Sequence, residues 1–225
     1  SAPQLRNMGT IGGNLCLDTR CTYYNQTYPW RKALGFCLKK DGDICWVARS
    51  SPVCLAISSS DCAPVAVALN AEFHLTGENG QRIIAAEDFY LNDGISYLNK
   101  THDELLVSIR IPSHEGWLMS YKKLRRRDSI DFPVLSVATA FHLDKAGVCI
   151  NARIVLGAVA SCPLRALQAE TLLKGEIPNA ELIETSAIAA AKLAKPMDNT
   201  DMTLGYRKKM AANFVKEAIN EALGR

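Results

Sequence analysis

Four cysteines, Cys21, Cys37, Cys45 and Cys54, fall within one short stretch of the chain, and this spacing constrains the fold most. The stretch, at about residues 16–57, shows no sustained helical or strand period. A loop of this length inside a compact domain is usually functional or disordered. Soft thiolate ligands on such a loop suit a zinc ion or an iron–sulfur cluster, and the bound metal would then order the loop.

The spacing of these cysteines does not by itself choose the metal. The pattern C-x15-C-x7-C-x8-C matches neither the paired C-x2-C of zinc ribbons nor the common ferredoxin runs. Cys16 and Cys62 flank the set and leave the choice of four ligands open. Thiols that bind no metal are the alternative, because cysteine is often simply buried. Cys149 and Cys162 lie outside the cluster, and we expect them in the core.

Composition and charge exclude several classes of protein. Hydrophobic residues make up 48% and charged residues 22% of the 225 residues, which is enough apolar material for a core. A net charge of +3 and the lack of an apolar run of about 18 residues predict neither a nucleic-acid nor a membrane partner. The first residues lack the apolar stretch of a signal peptide, and the chain has eight cysteines. We therefore expect a reducing, cytoplasmic compartment, where clustered cysteines bind metal more often than they pair.

The order of the predicted elements indicates an α+β fold, because strands are grouped before helices. Residues 113–116, SHEG, interrupt the run of predicted strands, and we predict a boundary there between domains 1–113 and 114–225. We predict a helix after Asp61, strands at 71–77 and 81–87 joined by a turn at 78–80, and a hairpin around 144–147. Three closing helices are predicted at 161–175, 179–194 and 203–223. The apolar face predicted for the last helix carries Tyr206, Met210, Phe214 and Ala218.

Residues 1–15 are predicted to be a loop around Gly12 and Gly13, and they include the glycine-rich segment RNMGTIGGNL at residues 6–15. Glycines permit positive φ and a close approach of a ligand to the backbone. Consecutive amides in such a turn form an anion nest that suits a pyrophosphate. The segment is not the G-x-G-x-x-G fingerprint and no strand precedes it, so an ordinary turn fits the residues equally well.

A basic run, KKLRRR at residues 122–127, is the strongest local charge feature. If the run is a strand, Lys123, Arg125 and Arg127 share one face, opposite Lys122 and Arg126. A solvated sheet edge is the default interpretation, and a nucleic-acid patch has little support because no aromatic residues interleave with the charges. Neutralisation of a cofactor by one or two of these cations is the third interpretation. Because no acid–base constellation stands out, we expect a chain that holds a cofactor and carries no catalytic residue.

The chain resembles, in five segments, the FAD-binding medium subunits of the xanthine oxidase family of molybdenum hydroxylases. The segments are RNMGTIGGNL, SSSDCAPVAVALNAEFHL, EDFY, ELLVSIRIP and YKKLRRR. The tail, ARIVLGAVASCPLRALQAETLLKG with GYRKKM, resembles the C-terminal domain of the same subunits. The resemblance implies the second half of a PCMH-type FAD-binding domain at 1–113. It also implies a CO-dehydrogenase-flavoprotein-like domain at 114–225, with a small antiparallel sheet and three helices. An N-terminal lobe with a first phosphate loop would be absent from this chain.

The resemblance also implies contacts to FAD. Leu106 would offer a backbone contact beside the isoalloxazine, and Asp61 would reach the adenosine part, its alternative role being a helix cap. Lys123 would lie near the flavin ring, with Lys122 as its competitor. The other cofactor-binding residues would be Thr10, Ile11, Gly12, Gly13 and Asn14, of which all but Ile11 are assigned to the pyrophosphate.

The cysteine insertion resembles the loop of the beta subunits of 4-hydroxybenzoyl-CoA reductases, which holds an additional [4Fe-4S] cluster. This resemblance, and not the spacing, selects Cys21, Cys37, Cys45 and Cys54 over Cys16 and Cys62. It implies an electron-transfer subunit of a heterohexameric molybdenum enzyme in anaerobic aromatic degradation. That enzyme would reduce 4-hydroxybenzoyl-CoA to benzoyl-CoA with electrons from a ferredoxin. Partner subunits would carry the molybdenum cofactor (large subunit) and [2Fe-2S] clusters (small subunit).

Two alternatives remain open at this point. The chain is either the FAD subunit of another molybdenum hydroxylase, oxidising a xanthine, an aldehyde or carbon monoxide, or a zinc-stapled binding module without a redox role. The first alternative keeps the family and changes only the substrate of a partner subunit. The second uses the same four cysteines with a single metal ion.

Overall fold

The computed structural model describes residues 2–225 and confirms the α+β class. No helix in this part of the chain is long and apolar enough to cross a membrane. The elements in chain order are α1 (Pro3–Met8), α2 (Ile11–Leu15), α3 (Tyr28–Ala33), α4 (Cys62–Ala68), β1 (Glu72–Gly77), β2 (Gly80–Ala85), α5 (Ala86–Phe89), β3 (Leu105–Arg110), β4 (Trp117–Leu124), β5 (Leu135–Leu143), β6 (Cys149–Gly157), β7 (Leu164–Arg165), α6 (Leu167–Leu173), α7 (Ala180–Ala191) and α8 (Leu204–Ala222).

The first sheet has three antiparallel strands in the order β2-β1-β3. The predicted turn between β1 and β2 is confirmed, and Gly80 supplies its positive φ of 104°. Phe73 and Leu75 of β1 are fully buried on one face of this sheet. Phe73 meets Phe89 edge-to-face, with ring centroids 5.0 Å apart. This aromatic contact fixes the short helix α5 against the sheet.

The second sheet has four antiparallel strands in the order β4-β5-β6-β7. The predicted β5–β6 hairpin is confirmed. The Asp144 carboxylate accepts hydrogen bonds from the N–H groups of Ala146 and Val148 in its turn, and Gly147 has a φ of +83°. Helices α6, α7 and α8 cover this sheet, as the resemblance implies. Their core includes Leu135, Phe141, Ile154, Ile183, Val215 and Ile219.

Helix α4 joins the two sheets through one hydrophobic cluster. Ala63 and Val67 of α4 pack in the same cluster as Phe73 of the first sheet and Ala138 of the second. A Cβ atom at Gly157 would lie 2.5 Å from Pro64 Cγ, so glycine is required where α4 crosses β6. The division into domains 1–113 and 114–225 stays a prediction.

The structure corrects two predicted elements. The helix expected at 161–175 begins only at Leu167, because Leu164 and Arg165 pair with β6 and form β7. The N-terminal residues predicted as a loop instead form the short helices α1 and α2. In both places the elements are too short for local sequence preference to determine them, and tertiary contacts decide the conformation.

The buried face of α8 agrees only in part with the predicted one: Ala218 is fully buried, and Met210 and Phe214 pack, partly buried, against the core. Tyr206 is 45% exposed, whereas the fully buried residue beside it is Arg207. The Arg207 guanidinium donates to the carbonyl oxygens of Val134 (3.0 Å), Met197 (3.1 Å) and Ala158 (2.7 Å). Burial lowers its pKa to about 10. Because Arg207 is charged, the apolar pattern does not show that its side of α8 faces the core. The predicted face is therefore displaced by one residue in the first half of the helix.

We predict that Arg207→Met lowers the free energy of unfolding by roughly 2–4 kcal/mol, because three buried carbonyl groups lose their donor. Urea unfolding of both proteins measures the difference. Lys208→Met is the matched control, since Lys208 is exposed on the next position of α8. That control should change stability by no more than about 0.5 kcal/mol. Equal midpoints for the two variants would contradict the role of Arg207.

Candidate functional site: a basic cleft beside a cysteine cavity

A cleft of about 1150 Å³ opens between the N-terminal helices, the start of the cysteine insertion and the segment after β4. It brings together five of the predicted cofactor-binding residues, and four arginines also line it. The five are Thr10, Ile11, Gly13, Asn14 and Asp61, and the arginines are Arg6, Arg20, Arg126 and Arg127. Three aspartates, Asp61, Asp131 and Asp201, line the cleft as well, so the formal charge of its lining is +1, four arginines less three aspartates. A concave site with this many charged groups suits a large ligand with an anionic part.

The glycine-rich segment forms the start of α2. The Thr10 hydroxyl accepts a hydrogen bond from the Gly13 N–H at 3.0 Å and caps the helix. Neither Gly12 nor Gly13 uses the positive φ that glycine permits, because both lie within the helix α2. A Cβ atom at Gly12 would meet no protein atom within 4 Å. Protein packing therefore does not require this glycine. Gly12 itself is not among the residues that line the cleft.

Asn14 is bound to the start of α4. Its Oδ1 atom accepts hydrogen bonds from the Ser60 hydroxyl (2.8 Å) and the Cys62 N–H (2.9 Å). The Ser60 hydroxyl in turn accepts from the Ala63 N–H at 2.9 Å. These two side chains satisfy the free amides of the helix N-terminus. The alternative role of Asp61 as a side-chain cap is therefore wrong, since its carboxylate makes no capping bond.

The Asp61 carboxylate is instead paired with Lys123. Their charged atoms lie 2.9 Å apart, and the two side chains are only 16% and 10% exposed. Lys123 also donates to the Asp131 carbonyl oxygen at 2.7 Å, and the Tyr121 hydroxyl donates to Asp61 at 3.3 Å. Burial and the nearby Asp61 charge raise the pKa of Tyr121. Lys122 points to the other side of β4 and pairs with Glu221 at 2.8 Å.

The arginines of the basic run lie beyond β4, which ends at Leu124. The expectation that Arg125, Arg126 and Arg127 alternate on a strand is therefore wrong. Arg126 pairs with Asp201 at 3.1 Å, and Arg127 lies 3.8 Å from Asp131. Because both arginines line the cleft, the segment contributes cations to the site even though it is irregular.

Leu106 lies on β3 opposite Leu75 and packs, partly buried, against the core. It is not among the residues that line the cleft. Its position on the first sheet is fixed by that strand pairing. A contact of Leu106 with the flavin ring stays a prediction.

Three cleft residues have no strong sequence signal. Ser59 Oγ and Asn199 Oδ1 are buried and accept no hydrogen bond from any described residue. The Phe132 ring lies 4.0 Å from the Arg20 guanidinium carbon. The serine run before Asp61 is a weak local hint for Ser59, whereas Asn199 comes from a distant loop. Buried polar atoms without partners are typical of a site that receives a polar ligand.

The four predicted cysteine ligands converge beside this cleft. Cys21, Cys37, Cys45 and Cys54 are each 5–7% exposed, all four are free thiols, and all line one small cavity. Tyr23, Tyr24, Leu38 and Val47 pack around them. Cys16 and Cys62 lie elsewhere, against the hydrophobic cluster around α4.

The cysteine cavity has a volume of about 10 Å³, close to the space that one water molecule requires. A single zinc ion held by four thiolates needs sulfur atoms about 3.8 Å apart, as Zn–S bonds of about 2.3 Å in a tetrahedron dictate. Across residues 2–225, no group of three or more His, Cys, Asp or Glu side chains is arranged to hold one metal ion. The thiols converge, but their arrangement does not support the single-ion zinc alternative.

Two of the four thiols, Cys21 and Cys54, lie in surroundings that disfavour the thiolate. Burial raises the pKa of Cys21 to about 11 and also raises the pKa of Cys54. The Ala56 N–H points at Cys54 Sγ from 3.5 Å. A Cβ atom at Gly94 would lie 2.7 Å from the same sulfur. A metal centre held here would have to displace the thiol protons.

Comparisons with known proteins place the whole chain in one family. A family model for the FAD binding domain in molybdopterin dehydrogenase matches residues 1–114. A second model, the CO dehydrogenase flavoprotein C-terminal domain, matches residues 119–222. The chain belongs to the FAD-binding medium subunits of the molybdenum hydroxylases. The family fits the cleft, because FAD is a large anionic ligand.

Individual members of the medium-subunit family are similar along nearly the whole chain. The carbon monoxide dehydrogenase medium chain of Hydrogenophaga pseudoflava is 27% identical over 99% of this chain and 63% of its own length. The aldehyde oxidoreductase FAD-binding subunit of Escherichia coli K12 is 31% identical over 97% of this chain and 68% of its own. A solved structure, reconstituted CO dehydrogenase from Oligotropha carboxidovorans, matches with a TM-score of 0.75 at 26% identity. That match covers all of this chain and 64% of the other. The chain thus spans about two thirds of these medium subunits.

We predict that Asn14→Ala lowers the free energy of unfolding by about 1–2 kcal/mol, because the Ser60 hydroxyl and the Cys62 N–H lose their shared acceptor. Urea unfolding measures the change. Asn213→Ala on the exposed side of α8 is the control and should change stability by less than about 0.5 kcal/mol. If the two variants unfold at the same urea concentration, Asn14 does not hold α4.

Proposed function

We propose that this medium subunit transfers electrons between a [4Fe-4S] cluster in the cysteine cavity and FAD in the basic cleft. The observation that carries the proposal is the shared wall of the two cavities. Cys21 lines both of them, and it is the residue common to both among those described. Two cofactors placed on either side of one side chain are suited to exchange electrons.

FAD would be held by the cleft residues that the family resemblance implies. The backbone of Thr10, Ile11 and Gly13 lines a space that arginines also line. These groups would bind the pyrophosphate. Asp61 would contact the adenosine part and Lys123 the flavin, although their mutual ion pair limits the free charge of each. When bound, FAD supplies both one- and two-electron redox chemistry.

The cluster would be held by Cys21, Cys37, Cys45 and Cys54. Four buried, unpaired thiols around one cavity are the donor set that a cubane cluster requires. A four-iron core is larger than the present cavity, so the cysteine side chains would turn outward around it. The apolar and aromatic side chains that surround the sulfur atoms would exclude water. When bound, the cluster supplies one-electron transfer at low potential.

The whole enzyme that we propose is a 4-hydroxybenzoyl-CoA reductase. The support is the resemblance of the cysteine insertion alone, since no part of this chain would contact that substrate. Two electrons and two protons would convert the phenolic C–OH to C–H and release water, on a molybdenum cofactor in a large subunit. A ferredoxin would donate the electrons, and a small subunit would carry [2Fe-2S] clusters.

A second candidate keeps the FAD role and reverses the electron flow. The relatives named above are subunits of enzymes for carbon monoxide and aldehydes. By this likeness the chain would be the FAD subunit of an oxidising molybdenum hydroxylase. The cysteine cavity is the observation that favours the reductase over this candidate.

We predict that Cys45→Ser loses most of the iron bound by this subunit, because an alcohol replaces one of four thiolate ligands. Iron and sulfide analysis after anaerobic purification, together with the brown visible absorption, measures the loss. Reduction by ferredoxin should slow, while molybdenum content stays unchanged.

Cys62→Ser is the matched control for the cysteine assignment, because Cys62 lies outside the cysteine cavity. This variant should keep the iron of the wild-type subunit. Equal iron content in the Cys45 and wild-type proteins would reject the ligand assignment. Zinc in stoichiometric amount with no iron would reject the electron-transfer role.

A further inference from the structure

A buried ammonium group lies inside the cysteine insertion. Lys39 stands between Cys37 and Cys45 in the chain, and its side chain is only 7% exposed. Its Nζ donates to the Asp18 carboxylate (2.8 Å), the Thr19 hydroxyl (2.7 Å) and the Gly94 carbonyl oxygen (2.6 Å). Lysine is almost never buried without a specific partner. The burial of the Lys39 side chain therefore needs an explanation other than apolar packing.

The positive charge of Lys39 is only partly neutralised. Its ion pair within residues 2–225 is with Asp18, whose side chain is 48% exposed, so water screens that carboxylate. The remaining partners are neutral: Thr19, Gly94, and the rings of Tyr24 and Tyr97, whose centroids lie 4.9 and 5.3 Å from Nζ. Lys39 also lines the cysteine cavity. The charged side chain of Lys39 thus belongs to the same cavity wall as the four cysteines.

Cys54 is the cysteine most directly linked to Lys39. The Gly94 residue that binds Nζ also donates its N–H to the Cys54 carbonyl oxygen at 2.8 Å. Gly94 packs so closely on Cys54 Sγ that a Cβ atom would lie 2.7 Å from the sulfur. Lys39 therefore acts on this sulfur through the position of Gly94.

We propose that Lys39 is a positioning residue that raises the reduction potential of the cluster held by the four cysteines. This inference rests on the proposed function. A cluster that takes one electron from a reduced donor protein becomes more negative by one charge, and the donor is oxidised by one electron. A fixed, poorly solvated cation stabilises the more negative state more strongly. Lys39 would thus favour acceptance of electrons from a low-potential donor.

Potentiometric titration of the anaerobically purified enzyme, followed by electron paramagnetic resonance of the reduced cluster, tests the inference. Lys39→Met should lower the cluster potential, because the cation is lost. Asp18→Asn should raise it, because Lys39 keeps its charge and loses its counter-ion. Lys39→Arg should stay closest to the wild type. Lys40→Met is the control, since Lys40 is 58% exposed, and it should leave the potential unchanged.

Opposite shifts in the Lys39 and Asp18 variants would support an electrostatic role, since disturbed packing has no reason to change sign. Shifts in the same direction, or none in either variant, would overturn it. If Lys39→Met loses its iron, the Asp18→Asn shift alone decides: a rise supports the inference and no change rejects it. A wild-type enzyme without a four-iron signal in this subunit would instead reject the proposed function, and the two failures are thereby distinguished.

Discussion

The rest of the site depends on how the cysteine insertion closes at its base. Arg20 and Ile57 exchange both backbone hydrogen bonds, at 2.8 and 2.7 Å. This pair brings Cys21 and Cys54 to the same end of the loop, where both contact Ala56. Closing the long cysteine insertion costs chain entropy, and the pairing of Arg20 with Ile57 at its base accounts for this cost. Cys37 and Cys45 then need only reach the cavity whose position Cys21 and Cys54 already define.

The same closure positions one wall of the cleft. The Thr22 N–H donates to the Asn199 carbonyl oxygen at 2.9 Å, and the Asn199 amide donates to the Leu55 carbonyl oxygen at 2.6 Å. Asn199 precedes α8, and Arg207 of α8 binds the Val134 carbonyl on the opposite side of the cleft. The insertion is thus bonded to the C-terminal region, not only to the segment that contains it. Movement of the cysteine cavity relative to the cleft would break these bonds.

Sequence patterns predict the local parts of this structure and not the parts made by distant contacts. The β5–β6 hairpin follows from Asp144 and Gly147, which act within a few residues. The strand β7 exists because it pairs with β6, and Arg207 is buried because three carbonyl groups from separate segments accept its hydrogen bonds. Hydrophobic periodicity records neither of these distant contacts, so its prediction is wrong at both places. The glycine-rich segment and Asp61 are recognisable by their motifs. Asn199 has no motif, because its role comes from its place in the fold.

The cysteine cavity would have to accommodate neutral thiols without a metal and negatively charged thiolates with one. Burial raises the pKa values of Cys21 and Cys54, so these two thiols stay neutral when no metal is bound. A metal centre requires the thiolates, and their negative charge then needs compensation in a region with little water. Lys39 supplies one positive charge, and backbone N–H groups near Cys21 and Cys54 supply partial ones. A bound metal centre would replace the thiol protons by positive metal ions, so order in this loop and metal binding would be coupled.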